Sequence, residues 1–304
     1  MAVYVVGDFL RETRLRKGYT QEEVSYGICT PASLSRIENG AQKPGRLILE
    51  KLFERLGTEN NLFNSFVSRE DMELYSAIQE LIRNITDDDV AKIEAQIEVV
   101  EKLSTNASEL EHQCLYFAKG ELERQREKND EKAMKMYMKA IHITLPDFDG
   151  KNPLRNNLLT FDEIMIINAI AILHAKADDI MTAVQLGMWL KKYMEEKIVD
   201  GTMKIAKYPM ILYNLSNWLG RENCHKEALK MADLGIRFCI RYGNLAFFPI
   251  LVFNKGGALA ELGKIDQAKK YLHQSVTIFE AMDRPDLIQV ATDWCKLHYR
   301  IDIQ

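Results

Sequence analysis

The chain has 304 residues, a formal charge of −4 from 40 Lys/Arg against 44 Asp/Glu, and 47% hydrophobic side chains. That length suits two domains, and the sparse 16 Gly and 7 Pro speak against a loop-rich β fold and for an all-α one. No apolar run approaches the ~18 residues of a membrane span, residues 1–10 lack the order of a signal peptide, and five scattered cysteines (Cys29, Cys114, Cys224, Cys239 and Cys295) read as reduced thiols of a cytoplasmic protein.

The charge is unevenly spread. Residues 1–66 carry nine basic and eight acidic side chains, and the remaining 238 carry a net −5. A short, mildly basic domain over 1–66 and a long acidic one over 67–304 are expected. The overall charge therefore says nothing against nucleic-acid binding by the first domain alone.

Val5, Val6, Phe9, Leu10 and Leu15 form a helical apolar stripe that Gly18 ends. Thr20 with Glu23 three residues on is a capping box, opening a short helix that Gly27 stops. Thr30-Pro31 opens the next, with Thr as cap and Pro at the first helical position. It carries inward Leu34 and Ile37 and ends at Asn39-Gly40. A further helix from about Arg46 to Leu56 carries Leu47, Leu49, Leu52 and Phe53.

This order is a helix-turn-helix layout. The strings Thr20-Gln21-Glu22-Glu23-Val24 and Leu34-Ser35-Arg36-Ile37-Glu38-Asn39-Gly40, followed by Pro44, resemble the lambda-repressor-like (XRE) DNA-binding domain over about residues 5–60. A recognition helix enters the major groove N-terminus first. Pro31, Ala32, Ser33 and Ser35 there permit close approach, and Arg36 reaches a phosphate or a guanine. Gln21 is placed to touch backbone or base, and Lys43 and Arg46 suit phosphates. Alternatives remain: Gln21 as a plain helix-start residue, Arg36 paired with a carboxylate of its own chain. The first turn of the recognition helix lacks Lys and Arg, so one copy binds weakly and a dimer reading two half-sites of duplex DNA is expected.

From Ser68 to Ile301 the apolar pattern is helical almost throughout. Breaks fall at Asn84–Asp89, Ser104–Ser108, Lys128–Asp130, Pro146–Arg155, Asp178-Asp179, Gly201, Gly220–Cys224, Tyr242-Gly243, Gly263-Lys264 and Arg284-Pro285. Residues 208–238 repeat as 248–278: Tyr208-Pro209 matches Phe248-Pro249, Asn214 matches Asn254, Leu219 matches Leu259 and Ala228 matches Ala268. Looser copies place Asn168 with Ala183, and Leu115–Ile143 with Ala133. Pro209 and Pro249 are expected to begin matching helices. Each unit is a helix pair with a small residue early in its second helix, resembling tetratricopeptide repeats stacked as an α-solenoid.

Asn168, Asn214 and Asn254 occupy one position in successive first helices, which line the concave face of such an array. An amide both donates and accepts, so a ladder of three suits an extended peptide backbone. Met165, Tyr213, Asn217, Trp218, Phe247 and Phe253 lie near enough to build side-chain pockets. The other reading is that the asparagines bond between neighbouring repeats.

An XRE-type domain before tetratricopeptide-like repeats resembles the RRNPP regulators, bacterial receptors for re-imported signalling peptides. Gly27-Ile28-Cys29, Ile167-Asn168-Ala169-Ile170-Ala171, Tyr213-Asn214 and Cys239-Ile240-Arg241 are most similar to the PlcR branch. The resemblance implies peptide-controlled DNA binding, a homodimer, and asparagines that hold the peptide backbone at Asn168 and Asn214. Asn254 is less secure because the family often has Gln there. Arg83, Lys92 and Lys119 are candidates for further peptide contacts or plain surface charges. Alternatives are a constitutive repressor with a dimerising solenoid, and a repeat-based adaptor that binds a partner protein.

No enzyme chemistry is expected, and no cofactor or metal. The six histidines have no ligand spacing, Cys224-His225 has no second pair, and phosphate loops and nucleophile elbows are missing. Asp87-Asp88-Asp89 reads as a helix cap, and Met134, Met136 and Met138 as gap fillers.

Overall fold

Local capping accounts for the second and third of the first four helices. The computed structural model describes residues 6–58, 69–86, 90–104, 109–126, 128–154, 158–197 and 201–301. In it α1 spans Val6–Arg16, α2 Gln21–Ser25, α3 Pro31–Glu38 and α4 Arg46–Arg55. Thr20 accepts the Glu23 N–H, and the Glu23 carboxylate accepts the Thr20 N–H at 2.7 Å. Thr30 caps α3 by accepting from Ser33 N, with Pro31 in the first turn. Both signals were legible because they span three residues. Leu10, Val24, Leu34, Leu52, Phe53 and Leu56 are fully buried among these helices. Each contributes about 1.5–3 kcal/mol relative to exposure. The expected helix start at Val5 lies outside the described residues.

The chain continues as α5 Arg69–Thr86, α6 Val90–Leu103, α7 Glu109–Gln125, α8 Asp130–Thr144, α9 Phe161–Lys176, α10 Ile180–Glu196, α11 Gly201–Arg221, α12 His225–Tyr242, α13 Phe248–Glu261, α14 Ile265–Ala281 and α15 Pro285–Trp294, closed by a π-helical turn, Cys295–Tyr299. Among the described residues there is no strand. The fold is an N-terminal helix-turn-helix bundle followed by a helical-repeat array. Most of the expected breaks fall between helices, but Asn84 lies inside α5, Gly220 lies inside α11, and Gly201 opens α11. Asp87–Asp89 and residues 105–108 lie outside the described residues.

Two compact units divide the chain, Met1–Leu173 with Ile198–Asp200 and His174–Lys197 with Gly201–Gln304. In the first, α7 packs on α8 with Gly120 against the Tyr137 ring, where an added Cβ would lie 2.4 Å from a ring carbon. In the second, α11 packs on α12 and α13 on α14. The small residues early in the second helices, Ala133, Ala183, Ala228 and Ala268, are all buried.

One expectation is corrected. Pro209 does not begin a helix; it lies inside α11, two turns from its start. A proline there removes the N–H that would serve the Ile205 carbonyl. The Asn244 side chain donates to that carbonyl instead, at 2.8 Å. A partner thirty-nine residues away thus repairs the helix, and no local pattern announces it. Pro249 does stand in the first turn of α13.

Candidate functional site

The exposed face of α3 is built from few atoms. Leu34, Ile37 and Glu38 turn inward, Pro31, Ala32 and Arg36 are exposed, and Ser33 and Ser35 are half-buried. Arg36 is the one long side chain on that face. Its Nε donates to Gln42 Oε1 at 3.0 Å and its Nη2 to Ser33 Oγ at 3.2 Å. Lys43 is exposed beyond the exit turn. The guanidinium of Arg46 lies over the Tyr75 ring, 3.6 Å from its centroid.

Behind this face sits Glu38. It accepts from Arg14 Nε at 2.6 Å, Arg14 Nη2 at 2.8 Å and Gln21 Nε2 at 2.7 Å. Burial alone would raise the Glu38 carboxyl, but the bonds from Arg14 and Gln21, with the charges of Arg14 and Arg11, outweigh it and hold it below its ordinary value. Gln21 is half-buried and spends one amide N–H on this lock.

The bundle is seated on the helices that follow through buried charges that the sequence reading did not single out. Arg55 Nη2 donates to Glu163 Oε1 at 2.8 Å, both side chains fully enclosed, and its Nη1 donates to the Tyr26 carbonyl. Lys51 Nζ lies 3.0 Å from Glu54 and 2.9 Å from Asp162. Glu54 also accepts the Phe161 N–H at 2.9 Å. Burial, reinforced by Asp162 and Glu50 against the pull of Lys51, raises the Glu54 carboxyl to about 7. Glu163 accepts the Thr160 N–H at 2.5 Å and Thr160 Oγ1 accepts the Glu163 N–H at 3.3 Å, so α9 opens on a capping box. Tyr26 donates to Asp147 at 2.6 Å, which with burial lifts its phenol to about 12. Two signals in the sequence pointed here: Lys51 and Arg55 one turn apart within an apolar helix, and Thr160-x-x-Glu163.

The second unit holds a cavity of about 590 Å³. Four residues marked for peptide binding line it: Tyr213, Asn217, Phe253 and Asn254. Its other walls include Ile250, Phe279, Val290 and Trp294, with His225, Glu261, His298 and Tyr299 supplying polar atoms. His225 Nδ1 is buried without a hydrogen-bond partner, and Trp294 stacks on His298 at 3.8 Å. Burial raises the Tyr213 phenol. Asn254 Nδ2 donates to the Tyr213 carbonyl at 3.3 Å. Asn214 is 8% exposed and is not among the lining residues; Asn168, 3% exposed, and half-buried Met165 belong to the first unit. Trp218 is buried, and Phe247 packs its ring 6.2 Å from that of Tyr213. The walls from His225 and α15 were not foreseen, since only packing brings the last helix to this place. Of the basic candidates, Arg83 pairs with Glu80 and Lys119 with Glu101.

Residues 5–66 match the helix-turn-helix domain family. Over 63 residues, 20% of this chain, it is 38% identical to an HTH-type transcriptional regulator of Bacillus subtilis, YqaF, and covers 83% of that protein. The chain belongs to the helix-turn-helix transcriptional regulators. The partner implied for such a regulator is DNA, and its relatives are not enzymes. Among the described residues no helix is long and apolar enough to cross a membrane and no His/Cys/Asp/Glu cluster could hold a metal. All five thiols are free.

The whole fold has solved counterparts. Bacillus thuringiensis PlcR in complex with the peptide PapR7 and DNA matches with a TM-score of 0.58 at 18% identity, covering 95% of this chain and 99% of that one. Apo PlcR matches at 0.57 and 17%, covering 95% and 98%. The apo competence regulator ComR of Streptococcus vestibularis matches at 0.51 and 14%, covering 96% and 97%. The fold is thus of the PlcR type from end to end.

Proposed function

We propose that this regulator is a cytoplasmic, homodimeric RRNPP-type receptor whose DNA affinity is set by a short signalling peptide. Residues 1–66 read duplex DNA through Gln21, Pro31, Ala32, Ser33, Ser35, Arg36, Lys43 and Arg46. Residues 67–304 bind the peptide and dimerise. The observation that carries this reading is the convergence of Tyr213, Asn217, Phe253 and Asn254 on one cavity of about 590 Å³. Aromatic walls suit an apolar side chain, and the Asn217 and Asn254 amides suit a peptide backbone. Further support comes from PlcR, whose fold matches and whose structure holds both the peptide PapR7 and DNA. Asn168 and Asn214 are assigned to the peptide on the family resemblance and Met165 on its nearness to Asn168 in sequence, and the bond from Asn254 to the Tyr213 carbonyl gives that amide a second, structural duty. Peptide and DNA affinities must then be coupled reciprocally.

The test is to purify the protein from its native host and identify co-purifying peptides by mass spectrometry. The variant Asn217→Ala/Phe253→Ala removes one exposed and one half-buried lining side chain and is expected to lower affinity for the recovered peptide at least ~10-fold, about 1.4 kcal/mol. Unchanged affinity in a folded variant refutes the site. Operator binding that ignores the peptide supports the constitutive repressor instead.

A further inference from the structure

On α3 only one exposed side chain is long enough to reach deep into a groove. Pro31, Ala32, Ser33 and Ser35 are too short to reach far, Leu34 and Ile37 are buried, and Glu38 is bound to Arg14 and Gln21. Arg36 remains, exposed at the surface. A free arginine would sample phosphates and bases alike, because both accept from its fork. This one is held.

The hold is built step by step. Thr30 Oγ1, having accepted the Ser33 N–H at 3.1 Å, donates to Ser33 Oγ at 3.0 Å. Ser33 Oγ in turn accepts from Arg36 Nη2 at 3.2 Å. On the neighbouring atom of the same guanidinium edge, Nε donates to Gln42 Oε1 at 3.0 Å. Gln42 is itself fixed to its target. The chain reverses after α3 through Gly40 at φ +71°, and the backbone N–H groups of Ala41 and Gln42 return to the Arg36 carbonyl at 2.8 and 3.2 Å. The backbone of Arg36 thus positions the side chain that holds its own guanidinium.

Two of the five guanidinium N–H groups are used, one on Nε and one on Nη2. Both N–H groups of Nη1 and one of Nη2 stay available on this exposed side chain. Two parallel donors match the adjacent O6 and N7 acceptors of guanine in the major groove. Adenine offers a donor in place of O6 and mismatches them.

We propose that Gln42 and Ser33 are positioning residues that present Arg36 end-on to a guanine, and that this guanine dominates base selection in each half-site. The inference rests on the DNA-reading role proposed for α3.

It is tested by enriching random-sequence duplexes on the full-length protein at low salt, then measuring affinities for the enriched duplex and for one with that guanine pair replaced by an adenine pair. The parent protein is expected to enrich a guanine at one fixed half-site position and to prefer it at least ~10-fold. Gln42→Leu should lower that preference several-fold, with the salt dependence of non-specific binding unchanged because no phosphate contact is lost, and Ser33→Ala should lower the preference less. Gln42→Glu keeps the acceptor and should keep the preference, at an affinity lowered uniformly by repulsion from phosphates. If Arg36→Ala leaves the enriched sequence unchanged, or the parent enriches nothing, the DNA-reading role of this face fails. If Arg36→Ala abolishes the guanine while Gln42→Leu and Ser33→Ala retain it in full, that role stands and the positioning proposal is overturned.

Discussion

Arg55 and Glu163 test how the DNA-reading bundle is held to the helices that follow it. Neither side chain has any exposed surface, and Nη2 and Oε1 lie 2.8 Å apart. Glu163→Gln preserves shape and keeps an acceptor for the Thr160 N–H, but removes the charge. Arg55 would then rely on backbone carbonyls of Tyr26 and Val24, with its Nε already lacking a partner. An uncompensated buried charge costs about 3–5 kcal/mol, whereas an exposed pair such as Arg83–Glu80 is worth under about 1 kcal/mol. Arg55→Met alone strands Glu163 in the same way. Arg55→Met/Glu163→Gln together removes both charges and should cost well below the sum of the single losses, with a coupling of about 2 kcal/mol or more. Urea unfolding followed by circular dichroism reads all three variants. Single losses below about 1 kcal/mol, or additivity within about 0.5 kcal/mol, would show that the pair does not secure the bundle.

Gly27 has φ +68°, and a Cβ there would lie 2.0 Å from the Thr144 carbonyl oxygen. Gly18, at φ +75°, faces open space. Gly18→Ala should therefore cost only the left-handed backbone penalty, about 1–2 kcal/mol, and Gly27→Ala clearly more in the same melt; equal losses would deny the contact at Thr144. Glu54, raised to about 7 from 4.5, binds its proton more tightly when folded, so its contribution is complete below about pH 4.5 and lost as pH rises through about 7. Stability should fall by roughly 2–3 kcal/mol between pH 5 and 8, a slope that Glu54→Gln removes and that Lys51, Glu50 and Asp162 modulate as its charged neighbours. Glu38, held low, acts oppositely: its contribution is present above about 4.5 and lost on further acidification, outside that window. Asn244→Ala leaves the Ile205 carbonyl without its side-chain donor and should cost about 1–2 kcal/mol; in a Pro209→Ala background, where the helical N–H returns, the loss should shrink, and an equal loss in both backgrounds would refute the repair.

The elements legible in the sequence share one property: their causes are local. Thr20 and Glu23, Thr30 and Ser33, and the stop at Gly40 act over three to six residues, so the helix-turn-helix and its outward Arg36 follow from spacing alone. The buried alanines of the repeats were legible for a related reason, since a helix pair repeats its own packing every forty or so residues. Nothing local marked Pro209 as helical, because its compensation comes from Asn244. Nor did the asparagine ladder reveal that Asn214 is nearly enclosed and that Asn254 donates to the Tyr213 carbonyl, since a polar side chain reads alike whether it meets a ligand or a neighbouring helix.

By itself the sequence determined the helices, their caps, the order of bundle and repeats, and the exposed residue types of α3, all through interactions within a turn or one repeat. Tertiary structure alone decided the seat of the bundle, where Arg55 finds Glu163 and Lys51 finds Asp162 across more than a hundred residues, and the cavity, where the last helix closes over Phe253 and Asn254. The physical reason is the same for both. A buried charge or an apolar wall is tolerated only when its partner is in place, and that partner is chosen by packing in three dimensions rather than by position along the chain.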